Sequence, residues 1–300
     1  MDSETPVAGI ELGGTKAIAV RGRGMTVTEM RSFPTTTPDE TLGAVLDVLA
    51  EWNAQEALAA IGIASFGPIR VARDAADFGS ILATPKAGWA NTPIHAPVAA
   101  RFDCPIGFDT DVNAAALAEH AIGAAQGCSN TIYITIGTGL GAGILLDGVP
   151  VHGLLHPEAG HVRTRRAVGD GFEGVCPFHG DCAEGLLSGP ALLARLPKHP
   201  GELEPDDPAW GPVGRDLAEL LAQLILTFSP QRIVIGGGVT NRQPHLLDKA
   251  RSHIPEILAG YLTDIDAVRL ADMIRPPKLG DEAGPAGALA LALAAVAENR

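Results

Sequence analysis

Two short glycine turns, each set between two apolar runs, constrain this chain more than any other feature. Val7 to Ile10 breaks at Gly13-Gly14 and resumes at Ala17 to Val20. Thr131 to Ile136 breaks at Gly137-Thr138-Gly139 and resumes at Ala142 to Leu146. Apolar runs flanking a glycine turn predict β-hairpins rather than strand-to-helix loops. The same device used twice predicts a duplicated architecture.

The rest of the chain alternates strand and helix. Leu42, Val45, Leu46 and Leu49 fall at helical spacing, and Ile61 to Ser65 reads as a buried strand. A short helix is expected over Pro93 to Phe102, a strand over Ile106 to Asp109 and a helix over Val112 to Ala125. After the second hairpin come a helix over Asp216 to Phe228, a strand over Arg232 to Ile235 and a closing helix over Ala283 to Ala297. This alternation predicts a mixed α/β protein. A length of 300 residues suits two domains, with the gap between them as the natural ligand cleft. The segment 151–187 is rich in Gly, His, Cys and charge with little periodicity, which marks a long functional insertion.

Composition narrows the function classes. With 46% hydrophobic residues the chain can fill a core, which excludes global disorder. Lys and Arg number 22 against 35 Asp and Glu, a net charge of −13, which argues against a nucleic-acid or membrane-surface role. No apolar run approaches the roughly 18 residues of a membrane span, and the acidic start lacks a secretory pattern. A cytoplasmic protein is therefore expected. Four cysteines are too sparse for a disulfide scaffold; Cys104 and Cys128 read as small buried hydrophobes.

The first turn, ELGGTK, joins two glycines whose amides can approach an anion to the Thr15 hydroxyl and the Lys16 cation, a fitting phosphate cradle. The second, TIGTGLGAG, repeats the design with Thr138, so one turn from each half could clamp a polyphosphate. A third cluster, Gly236-Gly237-Gly238, ends a strand where a nucleotide base or ribose could lie against the backbone. Asp111 stands where a strand gives way to a helix; it can serve as a first-turn carboxylate or as the base of phosphoryl transfer. Asp109 is its nearest rival. His161, Cys176, His179 and Cys182 supply two imidazoles and two thiolates, a closed tetrahedral zinc set, with His152, His156 and Asp181 as alternative ligands. A polar loop gains order from such a metal. Glu158 and Glu184 lie beside it, placed to accept hydrogen bonds from vicinal sugar hydroxyls.

Together these residues resemble the ROK family of sugar kinases, and within it most closely the zinc-containing bacterial fructokinases. The resemblance runs from Gly9 to about Leu293. It rests on GIELGGTK, ASFGP (64–68), TPKAGW (84–89), GFDTDVNAAALAE (107–119), TIGTGLGAGI, LLHPEAGH (154–161), CPFHGDCAEGLLSGPAL (176–192) and IVIGGGV. It implies a fold similar to actin and hexokinase, a duplicated ribonuclease H-like α/β fold of two domains around a central cleft. Residues 1–112 with about 283–300 would form the small domain. Residues 113–282 would form the large one, carrying a zinc-binding loop at about 151–187. The resemblance implies that Gly13, Gly14, Thr15, Lys16, Gly137, Thr138 and Gly139 hold the phosphates of ATP, and that Gly236, Gly237, Gly238 and Pro190 border the adenosine. Asp111 would be the catalytic base, Glu158, His161 and Glu184 the sugar contacts, and His161, Cys176, His179 and Cys182 the zinc ligands.

The activity so implied is an ATP-dependent, Mg2+-assisted hexose 6-phosphotransferase, converting D-fructose to D-fructose 6-phosphate. Mannose, glucose or N-acetylmannosamine are the alternative acceptors. Thr110 stands where glucokinase-like members carry Asn, which favours fructose. Glu11 stands where many relatives carry Asp, and Arg70 follows ASFGP where the fructokinase branch carries an acidic residue. Members are commonly homodimers. The family's sugar-responsive regulators carry a DNA-binding domain ahead of the first glycine motif, whereas eight residues precede Gly9 here, so no nucleic-acid partner is expected.

Overall fold

The computed structural model describes residues 4–299; the outermost positions of the expected domains, residues 1–3 and 300, lie outside the described residues. Strands β1 (Pro6–Leu12), β2 (Lys16–Arg23) and β3 (Thr26–Pro34) form an antiparallel meander. Helix α1 (Pro38–Gln55) leads to β4 (Ala60–Ser65), and α2 (His95–Arg101) leads to β5 (Ile106–Thr110). Strands β4 and β5 join the sheet in parallel, giving the order β3-β2-β1-β4-β5. Helix α3 (Asp111–Ala121) then crosses to the second half.

There the pattern repeats. Strands β6 (Thr131–Ile136), β7 (Leu140–Leu146) and β8 (Val149–Pro150) form the second meander. Helices α4 (Ala183–Leu187), α5 (Gly189–Arg195) and α6 (Trp210–Phe228) precede β9 (Arg232–Gly236). Helices α7 (Gly238–Arg242), α8 (His245–Leu258) and α9 (Ala267–Met273) precede β10 (Ile274–Arg275), and α10 (Ala283–Glu298) closes the chain. The sheet order β10-β9-β6-β7-β8 is the first sheet's order over again, with the same senses of pairing. The duplication inferred from the two glycine turns is therefore a duplication of a five-stranded unit.

Each sheet has its own apolar core, one around Trp52, Ile61 and Trp89 and one around Trp210, Leu221 and Ile235. What joins them is close packing of small residues. Gly9, Gly62 and Gly107 lie side by side across β1, β4 and β5. A Cβ at any of them would run into Ala288 or Leu291 of α10. The stripe is a groove cut to admit that helix, which is buried on nearly every side. Gly287 meets Ala114 of α3 in the same way, and Gly143 of β7 meets Val112. Helices α3 and α10 thus sit between the sheets, each following the fifth strand of one half and packing on the other.

Several elements depart from sequence expectation. Helix α3 stops at Ala121 rather than near Ala125, because the buried Glu119 carboxylate accepts the amides of Ala124 (2.5 Å) and Leu279 (2.9 Å) and so holds a different chain path. Strand β3 was not expected. It is an edge strand with an alternating exposed pattern and too few apolar residues to read as buried. Helices α8 and α9 and the two-residue β10 were also unforeseen. Among the described residues no helix is long and apolar enough to cross a membrane.

Candidate active site

The β1–β2 turn is tied down from behind. Its Lys16 carbonyl accepts the Gly13 amide at 3.0 Å, and its Thr15 carbonyl accepts the Thr35 amide at 2.9 Å. The Gly13 carbonyl accepts the Thr35 hydroxyl at 2.8 Å, and the Gly14 carbonyl accepts Lys86 Nζ at 2.6 Å. With every carbonyl occupied, the amide edge of Gly14 and Thr15 is the turn's remaining polar face, beside the exposed side chains of Thr15 and Lys16. That is the polarity a phosphate requires. Lys86 falls in the TPKAGW run but received no role from the sequence, and Thr35 was not singled out, because a tether to a carbonyl leaves no spacing signal.

The second turn has the same form. Thr138 is exposed at its tip, and the Gly137 amide bonds back to the Gly139 carbonyl at 2.8 Å. The third glycine cluster and α5 converge on it. Gly237 takes φ +94°, and a Cβ there would strike the Ile136 backbone; only glycine lets β9 leave the sheet so close to the turn. The Gly189 amide, at the start of α5, donates to the Gly137 carbonyl at 2.7 Å, so the exposed Pro190 stands next to the turn. Beyond Gly236 opens a cavity of about 460 Å³ lined by Ile235, Thr240, Asn241, Pro244 and Pro277. The glycine clusters and Pro190 of the second half are therefore one continuous surface.

Asp111 opens α3, with Thr110 as the cap whose hydroxyl accepts the Asn113 amide at 3.1 Å. Asp111 Oδ1 accepts the Val112 amide at 2.8 Å. Burial pushes its carboxyl up to about 7, with Glu158 adding to the rise. Burial likewise pushes Glu11 on β1 up to about 7, with Asp111 adding. Asp111 is thus electrostatically coupled both to the first hairpin and to the 151–187 segment. Its rival Asp109 is 2% exposed, and both its oxygens are bonded: Oδ1 accepts the Thr110 backbone amide (2.7 Å) and the Asn113 side-chain Nδ2 (2.8 Å), and Oδ2 lies 2.9 Å from His152 Nε2. Both oxygens of Asp109 are therefore already engaged, whereas Asp111 has a hydrogen bond on Oδ1 alone.

Glu158 faces the same space. Its Oε1 lies 3.5 Å from His156 Nδ1, and a Cβ on Gly67 would stand 3.5 Å from it. Burial pushes Glu158 up to about 7, and Glu184 adds to this. Glu184 is shared with the second turn, since its Oε2 accepts the Leu140 amide at 3.1 Å.

His161, Cys176, His179 and Cys182 come together, with one donor atom from each lying within 4.8 Å of the others. His161 Nδ1 is 3.5 Å from Cys182 Sγ and 3.8 Å from Cys176 Sγ, and His179 Nδ1 is 3.7 Å from Cys176 Sγ. A tetrahedral zinc with about 2.05 Å to nitrogen and 2.3 Å to sulfur has N···S edges of about 3.6 Å. The donor set fits that ion in chemistry and spacing. The alternative ligands are elsewhere: His152 is on Asp109, His156 accepts the Ile69 amide at 3.0 Å, and Asp181 faces Arg163 and Arg166.

A second device, unforeseen from sequence, holds the same loop. Arg166 reaches Asp170 at 2.8 Å, Arg195 bonds Asp170 and reaches the fully buried Asp216 at 2.7 Å, and Arg166 donates to the Phe172 carbonyl. Metal ligation is therefore not the loop's sole source of order.

Comparison with known proteins adds the following. A model described as the ROK family matches residues 7–295. The chain is 42% identical over 297 residues to a fructokinase of Zymomonas mobilis, covering 97% of each. It is 40% identical over 288 residues to a fructokinase of Pediococcus pentosaceus, covering 96% of this chain and 97% of that one. Among solved structures, a ROK family glucokinase of Streptomyces griseus in complex with glucose and AMPPNP superposes with a TM-score of 0.75 at 27% identity, over 96% of this chain and 99% of that chain.

Proposed function

The chain belongs to the ROK family, and from that premise we propose that it is an ATP-dependent fructokinase converting D-fructose to D-fructose 6-phosphate. The observation that carries the reading is Asp111. It is the half-buried first residue of α3, at the junction where the first sheet hands over to the second half, with one oxygen on the Val112 amide; burial and the charge of Glu158 raise its pKa. Phosphoryl transfer from a triphosphate to a sugar hydroxyl needs that junction.

In this reading Gly13 to Lys16 and Gly137 to Gly139 grip the triphosphate. The adenosine extends past Gly236 to Gly238 and Pro190 toward the 460 Å³ cavity. Glu158 and Glu184 accept hydrogen bonds from the sugar's hydroxyls, and His161, whose Nδ1 faces the two thiols, presents its Nε2–H to a sugar oxygen, so that together they orient the ring. Asp111 takes the proton of the 6-hydroxyl as its oxygen bonds to the γ-phosphorus, and the bond from that phosphorus to the bridging oxygen breaks, releasing ADP. Mg2+, when bound with ATP, would neutralise phosphate charge; Glu11, whose Oε2 is buried without a protein partner, fits a cation there. Zinc on His161, Cys176, His179 and Cys182 would fix the loop that carries the sugar contacts. We further propose that residues 1–112 with 283–300 and residues 113–282 act as domains closing on the cleft. The protein would work as a cytoplasmic homodimer without a nucleic-acid partner.

A coupled assay with ATP over fructose, mannose, glucose, glucosamine and N-acetylmannosamine tests this. Fructose is expected to give the highest kcat/KM, and Asp111→Ala to lose turnover by about 10³-fold or more while still binding sugar. A preference for another hexose overturns the fructose assignment, and near-normal turnover in Asp111→Ala removes Asp111 from the mechanism.

A further inference from the structure

The segment that carries Glu158 and His161 belongs to the second half of the chain, yet it is bonded to the first half at two points. His156 Nε2 accepts the Ile69 amide at 3.0 Å, and His152 Nε2 meets Asp109 Oδ2 at 2.9 Å. The two contacts differ in kind. The His156 side chain is 4% exposed and bonds to backbone, so it is part of the packed interior. The His152 side chain is 38% exposed and bonds to a carboxylate that is almost wholly buried.

Asp109 is expensive to bury unless its oxygens are satisfied. Two amides occupy Oδ1, and His152 supplies the donor for Oδ2. The bond fixes the proton of His152 on Nε2 and raises its pKa, against the opposing effects of burial and, less, of the Arg73 cation. Asp109 lies two residues before Asp111 on the same strand-to-helix junction, and His152 lies six residues before Glu158. One hydrogen bond therefore spans the cleft between the segment that holds the proposed base and the segment that holds the proposed sugar carboxylate.

We propose that the Asp109–His152 pair is a positioning device for the sugar, setting the separation of Glu158 and His161 from Asp111. His152 acts through these residues and need not touch the reacting atoms. Because the nucleotide surface is built from the glycine turns, sugar affinity depends on the pair and nucleotide affinity does not. The inference rests on the sugar-kinase reading above.

The test uses the full chain with fructose and ATP. His152→Ala is expected to raise KM for fructose about tenfold, the loss of one hydrogen bond to a charged group, while KM for ATP stays unchanged; the melting temperature should fall, because the buried Asp109 Oδ2 loses its donor. His152→Gln, whose amide nitrogen can take the place of Nε2, is expected to recover most of the wild-type KM. The proposal is overturned if His152→Ala leaves the fructose KM unchanged, if it raises both KM values in parallel, or if His152→Gln is no better than His152→Ala. A wild type that phosphorylates no hexose overturns the functional reading as well. An active wild type with an indifferent His152→Ala overturns this proposal alone.

Discussion

Replacing Glu11 with glutamine should stabilise the ligand-free protein at pH 8 and impair it as an enzyme. The Glu11 carboxyl lies against Gly284 at the start of α10, with Oε2 buried and without a protein partner. Burial and the neighbouring Asp111 push it from the ordinary 4.5 up to about 7. A group with a raised folded pKa binds its proton more tightly in the native state. Its contribution is therefore intact below pH 4.5 and is lost as pH climbs through about 7. At about 1.4 kcal/mol per pH unit this loss is at most about 3 kcal/mol, and solvent screening reduces it to about 1–2 kcal/mol.

Glutamine has no charge to lose, so its advantage should be absent at pH 4.5 and should grow to about 1–2 kcal/mol at pH 8. The assay is urea unfolding of both proteins at the two pH values, with chelator present to remove Mg2+. Taking the difference between pH values cancels any pH-independent cost of burying the amide. The same variant should need far more Mg2+ for half-maximal turnover. An equal stability difference at both pH values, or a larger advantage at the acidic one, refutes the reasoning.

The other predictions concern separate parts of the site. Turnover should rise with pH through about 7 as Asp111 ionises, and a pH profile of kcat with a flat acid side would contradict that assignment. Lys86→Met frees the Gly14 carbonyl and should raise KM for ATP about tenfold with fructose KM unchanged, read from initial rates at varied ATP. Elemental analysis should find one zinc per chain, and Cys176→Ser should abolish it and lower the melting temperature. The loop should nonetheless keep partial protection in hydrogen exchange, because the Arg166, Asp170, Arg195 and Asp216 cluster remains.

What sequence reasoning could reach was set by whether a feature leaves a local pattern. The hairpins were legible because each turn needs glycine between apolar runs. The Cys2His2 group was legible because ligand types are few and three of them are close in sequence. The Asp109–His152 bond spans 43 positions and the Lys86 tether spans 72, so neither has a periodic trace. The stripe of Gly9, Gly62 and Gly107 lies on three strands and becomes a groove only when they align. Strand β3 and the two-residue β10 depend on partner strands rather than on their own composition. Residue type and position alone did not rank Asp109 against Asp111, since both sit at the same strand end; the family resemblance favoured Asp111, and the hydrogen bonds of Asp109 are what the sequence did not show.

The duplicated topology also explains how so many carboxyls can be gathered at one place. Helices α3 and α10 each follow the fifth strand of their own sheet, so the two-fold relation of the halves brings their N-termini together at the base of the cleft. Asp111 opens α3, and the Glu11 carboxyl abuts Gly284 in the first turn of α10, with Asp281 just ahead of it. Each helix N-terminus favours a nearby negative charge by about 0.3–1 kcal/mol. That is less than burial and mutual repulsion cost these groups, which is why Glu11 and Asp111 both rest near 7 rather than near 4. The protein's own dipoles thus leave the carboxyls half-compensated, and the balance is left to the cation that accompanies a nucleotide. A base tuned this way gains proton affinity from its fold and becomes sensitive to whatever charge arrives beside it. That sensitivity makes the Mg2+ dependence of the Asp111 pH profile the sharpest test of the architecture: added metal should move the acid limb to lower pH, and Glu11→Gln should abolish most of that movement.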